Sequence, residues 1–200
     1  TEYRYSLLAQ TQSSELKYKT LVDNLRSQYQ AIENEVAGIE QEVRRRLQAE
    51  NKLEDIESAD GTLLSWPVPS RYITCHFHCT GYPFAHVFKH SGMDVRASQG
   101  TPVKAAASGY VARAKRCSSS TCYGFIMLIH ADGMATVYGH MSAISVSEDQ
   151  FVTRGDTIGL SGGAPGTVGA GPFSTGPHIH FELRQNGIPI DPFPFMVKDY

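Results

Sequence analysis

Apolar residues in the first quarter of the chain recur at helical spacing. Leu25, Tyr29, Ile32, Val36, Ile39 and Val43 step by four, three, four, three and four, with Val22 one turn earlier. This is the a/d seam of a coiled coil. Residues 1 to about 57 hold no Pro and no Gly before Gly38, and the register loosens over "RRRLQAENKLEDIE", around Leu47, Leu53 and Ile56. One continuous helix of that length would reach about 85 Å. It cannot bury its seam alone, so a partner helix is expected, from a second copy or from another protein. The plain reading is a spacer or dimerising stalk; the sharper one is an arm that blocks or presents the domain that follows.

The grammar changes across "ESADGTLLSWPVPS", where Pro67 and Pro69 forbid further helix. Residues 58–67 read as a linker and 68–200 as a second region built of short strands. The candidates are "TPVKAAASGYVARAKR", "GFIMLIHA", "MATVYGHM", "FVTRGDTIGLSG" and "HIHFELRQNGIPI". "ADGM" and "QNGIP" supply the Asp-Gly and Asn-Gly pairs that tight hairpins favour. No long helix is expected after residue 66. The fold class is therefore a mainly antiparallel β domain behind an α-helical coiled-coil segment. "GGAPGTVGAGPFSTG" lacks the Lys-Ser/Thr of a phosphate loop and leads into a strand, so it reads as a surface loop bordering a groove.

Charge narrows the function classes. Eighteen basic and 20 acidic residues give no overall pull toward nucleic acid or anionic membrane. No apolar run approaches the roughly 18–20 residues that span a bilayer. The opening "TEYRYSLLAQ" has neither an initiator Met nor a signal-peptide pattern, which reads as an excised or processed piece of a longer protein. Four cysteines fall in two close pairs, Cys75/Cys79 in "CHFHC" and Cys117/Cys122 in "CSSSTC". Short local loops suit disulfides in an oxidising compartment, with free thiols or a metal site in "CHFHC" as the alternatives. The expected location is extracytoplasmic.

Candidate chemistry concentrates in "TGPHIHFELR". On a strand, His178, His180 and Glu182 share one face while Ile179, Phe181 and Leu183 share the other. "HSGMD" sets His90 and Asp94 four apart, with Gly92 allowing a sharp bend, and "VYGHMS" puts His140 at a strand end. Four histidines and a carboxylate from three separated segments suit a zinc site with one position left for water. His76, His78, His86 and His130 read as surface or satisfied core residues. No HExxH occurs, which excludes a helix-borne glutamate base.

"HSGMD", "VYGHMS" and "GPHIHFELR", in that order, resemble the three signature motifs of the M23 (LytM/lysostaphin-type) zinc metallopeptidases, which cut peptide bonds of bacterial peptidoglycan. "GTPVKAAASGYVARA" and "VTRGDTIGLSG" are similar to the family's strands, and the likeness runs from about residue 68 to 194. The resemblance implies that His90, Asp94 and His180 ligate Zn2+ and that His140 and His178 are the catalytic histidines. Glu182 keeps a structural place. It further implies a zinc-dependent endopeptidase acting on peptidoglycan peptides in the periplasm or cell envelope, with water as nucleophile. One of His140 and His178 would take the proton and the other would support the oxyanion; the sequence does not divide these roles.

A coiled coil ahead of such a domain is similar to periplasmic cell-wall proteins, including amidase activators of the EnvC type. A non-catalytic regulator is therefore the alternative function, with a cell-division or cell-wall protein as partner. Those activators generally carry a damaged zinc site, whereas this chain keeps every motif residue. The paired cysteines and the Gly-rich loop are not core family features, so substrate preference is not carried over.

Overall fold

A computed structural model describes residues 2–54, 56 and 64–198, with side chains from residue 10 onward. Most of the expected linker, residues 58–63, lies outside the described residues. Helix α1 spans Glu2–Ala49. It stops short of residue 57 because Asn51 adopts a left-handed conformation, φ 56°. The Lys52 and Asn51 amides then donate to the carbonyls of Leu47 and Gln48, the paired bonds that close a helix C-terminus.

Among the described residues eleven strands follow: β1 (Ile73–Cys75), β2 (Met93–Arg96), β3 (Pro102–Lys104), β4 (Gly109–Lys115), β5 (Phe125–Ile129), β6 (Met134–Gly139), β7 (Met141–Ile144), β8 (Phe151–Val152), β9 (Thr157–Ser161), β10 (His178–Gln185) and β11 (Ile188–Ile190). The large sheet runs β1-β2-β10-β6-β5-β4-β8, with β11 paired to β10, and β3-β9-β7 forms a smaller sheet. Every named pairing is antiparallel. Both expected hairpin turns are present, with positive φ at Asp132 and Gly133 and at Asn186 and Gly187, as a tight two-residue hairpin requires. Strands β1 and β2, which flank the cysteine loop, were not among the sequence candidates. After residue 66 the only described helical element is a 3-10 turn at Phe193–Phe195.

The large sheet has two buried faces. On one, Ile179, Phe181 and Leu183 join Ile126, Leu128 and Tyr138 in a core shared with Val103, Met141 and Ile158 of the small sheet. On the other, register aligns Arg184 with Ala135, Glu182 with Val137 and His180 with Gly139. The same register continues to Ile129, Met127 and Phe125 on β5. This second face is covered by α1. Val36, Val43 and Leu47 are buried against Phe125, Met127, Ile129 and Val137, with Ile32 and Ile39 beside them.

The expectation that the seam needs a second helix is corrected here, since from Ile32 onward its partner is the chain's own sheet. Heptad spacing marks an apolar stripe, and a flat β face of matching width buries it as well as another helix would. Lys115 on β4 reinforces the contact, donating to Glu35 at 2.6 Å. Further toward the N-terminus, Leu16, Tyr18 and Leu21 are exposed.

Candidate active site

Strand β10 lies between β2 and β6, and its register sets His180 opposite Asp94 on one side and Gly139 on the other. His90 enters from the loop ahead of β2. His90 Nε2 is 3.0 Å from Asp94 Oδ1 and 3.0 Å from His180 Nδ1, and His180 Nδ1 is 2.9 Å from Asp94 Oδ1. All three side chains are buried.

Their outward atoms fix the tautomers. His90 Nδ1 is 3.1 Å from the carbonyl of His76, and His180 Nε2 is 3.1 Å from Glu182 Oε1. A carbonyl or carboxylate oxygen only accepts, so each neutral ring carries its proton outward and turns a bare nitrogen inward. Three electron-pair donors thus face one another, an arrangement that a cation satisfies. Two imidazole nitrogens and one carboxylate oxygen match the donor set of a catalytic zinc with an open position.

The electrostatics agree. Burial opposes charge on Asp94, but His180 and His90 outweigh it and hold the carboxyl well below its usual range. Burial likewise opposes protonation of His180, yet Asp94 and Glu182 push its pKa up to about 10, so a proton holds the inward Nδ1 until a cation displaces it. The cluster favours a positive charge at its centre.

His140 and His178 stand beside these three. Their ring centroids are 4.5 Å apart, and His178 Nε2 is 3.6 Å from Asp94 Oδ1. His140 Nδ1 donates to the Ala170 carbonyl and His178 Nδ1 to that of Gly176, both at 2.7 Å. Each therefore keeps an unprotonated Nε2. Burial drives both pKa values down, His140 well below the ordinary value, with the neighbouring histidine charges adding to the effect there. His140 has φ 57°, a left-handed conformation at the β6–β7 junction that surrounding structure must hold in place. The Gly-rich loop fixes the ring through the Ala170 carbonyl.

The remaining histidines take other places. His130 is buried between the Ser108 carbonyl and the Thr136 hydroxyl, each at 2.8 Å, a satisfied core residue. The side chains of His76, His78 and His86 are exposed. The chain bends at Gly92 as expected, without a left-handed φ, and the glycine also allows close approach. A Cβ there would lie 2.6 Å from the Phe181 carbonyl oxygen and 2.9 Å from the His180 ring.

Several site residues escaped the sequence reading. Arg184 follows His178, His180 and Glu182 on the same face of β10, so strand periodicity carried the signal. It is 1% exposed and donates to Glu182 Oε2 at 2.9 Å, Glu40 Oε2 at 3.2 Å and Glu33 Oε2 at 3.3 Å. Two of those carboxylates come from α1. The pocket over the cluster is lined by Tyr82, Tyr123, Phe88 and Phe173 and, from the helix, Tyr29, Ile32 and Glu33. Tyr29 stacks on Phe88 with ring centroids 3.8 Å apart. These loop aromatics and helix residues have no spacing relation to the motifs, so only tertiary structure brings them together.

The chain is also similar to known proteins. Residues 88–192 match the model of peptidase family M23. The DD-carboxypeptidase/endopeptidase Mpg of Neisseria meningitidis is 38% identical over 128 residues, 63% of this chain and 27% of the relative. The peptidoglycan DD-endopeptidase ShyA of Vibrio cholerae is 36% identical over 105 residues, 52% of this chain and 22% of that protein. The chain thus spans about a quarter of the length of these curated relatives. Among solved structures, a zinc-containing peptidase from Vibrio cholerae superposes with TM-score 0.54 at 31% identity, covering 67% of this chain and 39% of the other.

Proposed function

The chain belongs to peptidase family M23, and from that membership and the site geometry we propose that it is a zinc-dependent endopeptidase of peptidoglycan cross-links. The observation that carries the reading is the convergence of bare donors from His90, Asp94 and His180. Those three residues would hold the ion, which when bound lowers the pKa of water and polarises a carbonyl. His178 Nε2 takes the proton of the attacking water, its Nδ1 hydrogen held by Gly176, and gives that proton to the departing amine as the C–N bond breaks. His140, its ring held by Ala170, stands beside His178 as the second catalytic histidine and shares in moving that proton. Glu182 orients His180, and Arg184 in turn orients Glu182. Substrates of this kind place the protein outside the cytoplasm, in keeping with its two disulfides.

The lining of the pocket favours a gated form of this reading. Tyr29, Ile32 and Glu33 of α1 stand over the cluster, so a peptide reaches it when the helix moves aside. A partner that draws α1 away would switch hydrolysis on; the partner and the location are part of this proposal.

The test is release of soluble peptides from purified peptidoglycan, with and without a chelator. His180→Ala is expected to lose bound zinc and hydrolysis together, whereas His178→Ala keeps the metal and loses turnover. Full hydrolysis by both variants would overturn the assignment. Absence of hydrolysis by the wild type with α1 displaced, alongside stimulation of a separate amidase, would favour the non-catalytic regulator.

A further inference from the structure

The "CHFHC" loop has no part in the chemistry above, yet it grips the back of one candidate ligand. We propose that the Cys75–Cys79 disulfide closes a clamp that positions His90 and so sets the affinity of the metal site, making that site dependent on an oxidising environment. The proposal rests on His90 being a metal ligand.

Five contacts carry it. His76, inside the disulfide loop, offers its carbonyl to His90 Nδ1 at 3.1 Å. Cys75 Sγ lies 3.4 Å from the same nitrogen. The His78 amide donates to the His90 carbonyl at 3.1 Å, so the loop holds that residue by ring and by backbone. Strand β1 then pairs Cys75 with Asp94, and Thr74 Oγ1 donates to the Asp94 carbonyl at 3.3 Å. One short segment therefore reaches two of the three donors.

The physical role follows from the tautomer. His90 presents a bare Nε2 only while Nδ1 keeps its proton, and the His76 carbonyl enforces that choice. A five-residue loop held by backbone bonds alone samples many conformations, and the cross-link removes most of them. His78 has φ 55°, a left-handed conformation that the closed loop maintains. Without the disulfide, the carbonyl is free to leave Nδ1 and the ring is free to turn.

The experiment compares zinc and cobalt affinity, by competition with a chromophoric chelator, in the oxidised protein and in Cys75→Ala/Cys79→Ala. The double variant is expected to bind about 10- to 100-fold more weakly at unchanged stoichiometry and unchanged far-ultraviolet circular dichroism. Cys117→Ala/Cys122→Ala, which opens the other disulfide, is expected to leave the affinity unchanged. Equal affinity in the wild type and the Cys75/Cys79 variant would overturn the clamp. Absence of stoichiometric binding by the wild type would instead remove the metal-site reading beneath it.

Should the double variant fail to fold, phosphine reduction of folded wild-type protein gives the same readout. The expected result is weakened binding restored by reoxidation. A thiolate-to-cobalt charge-transfer band after reduction would mean that the thiols themselves join His90 on the metal, and would refute a purely positioning role.

Discussion

Val36 offers a direct measure of whether α1 gates the site. It is 2% exposed and packs from the helix onto Phe125, Met127 and Val137. Val36→Ala deletes two buried methyl groups, worth about 1.6 kcal/mol of transfer energy, and the residual cavity brings the loss to about 2 kcal/mol. Alanine is the better helix former, so the helix itself is not weakened and the loss falls on docking. Because 1.4 kcal/mol is tenfold, the undocked fraction should rise about 30-fold. Peptide release from peptidoglycan should rise by the same factor while the undocked form remains a minority.

Amide hydrogen exchange over residues 25–47 reports docking independently. If exchange quickens about 30-fold and hydrolysis does not, the helix is not a barrier and the gating argument fails. A point variant is the sounder probe than removal of α1, which would bare Phe125, Met127, Ile129 and Val137 to water.

Two further outcomes follow from buried groups. Burial, with a contribution from Arg44, depresses the His130 pKa from 6.5 to about 4, against the opposing Ser108 hydrogen bond. The unfolded chain therefore binds the extra proton first, so this contribution is full above about pH 6.5 and is lost as pH falls toward 4. The loss reaches about 3 kcal/mol. Urea melts across that window should show a shallower slope for His130→Gln; an identical slope would refute the assignment. Gly92→Ala would drive a Cβ into the Phe181 carbonyl and the His180 ring, at about 1–3 kcal/mol of stability. It is expected to cut zinc affinity more than tenfold, and unaltered affinity would show that the ring has room to yield.

Much of this protein was legible in its residues. Alternation along "HIHFELR" separated a histidine-bearing polar face from a core face, and Asp-Gly and Asn-Gly located both hairpins, because these signals are set by backbone geometry within a few residues. His90, Asp94 and His180 were singled out through the resemblance of their motifs to family M23, and the structure brings their side chains together; His130, read as a surface or satisfied core residue, is the latter. The apolar seam of α1 was legible from Ile32 to Val43, whereas Leu47, read as loosening the register, is buried with it.

The identity of whatever covers that seam was not, because a helical stripe carries no record of whether a helix or a sheet will bury it. Only the tertiary structure lays Val36 and Leu47 on β5 and β6, and with them Tyr29 and Glu33 over the histidines. The same holds for Arg184, whose three carboxylate partners come from positions up to 151 residues away in sequence. It holds also for the His76 carbonyl behind His90. Local pattern determines which face a residue presents; what that face meets is decided by long-range packing, where burial and hydrogen-bond satisfaction are settled by the whole fold.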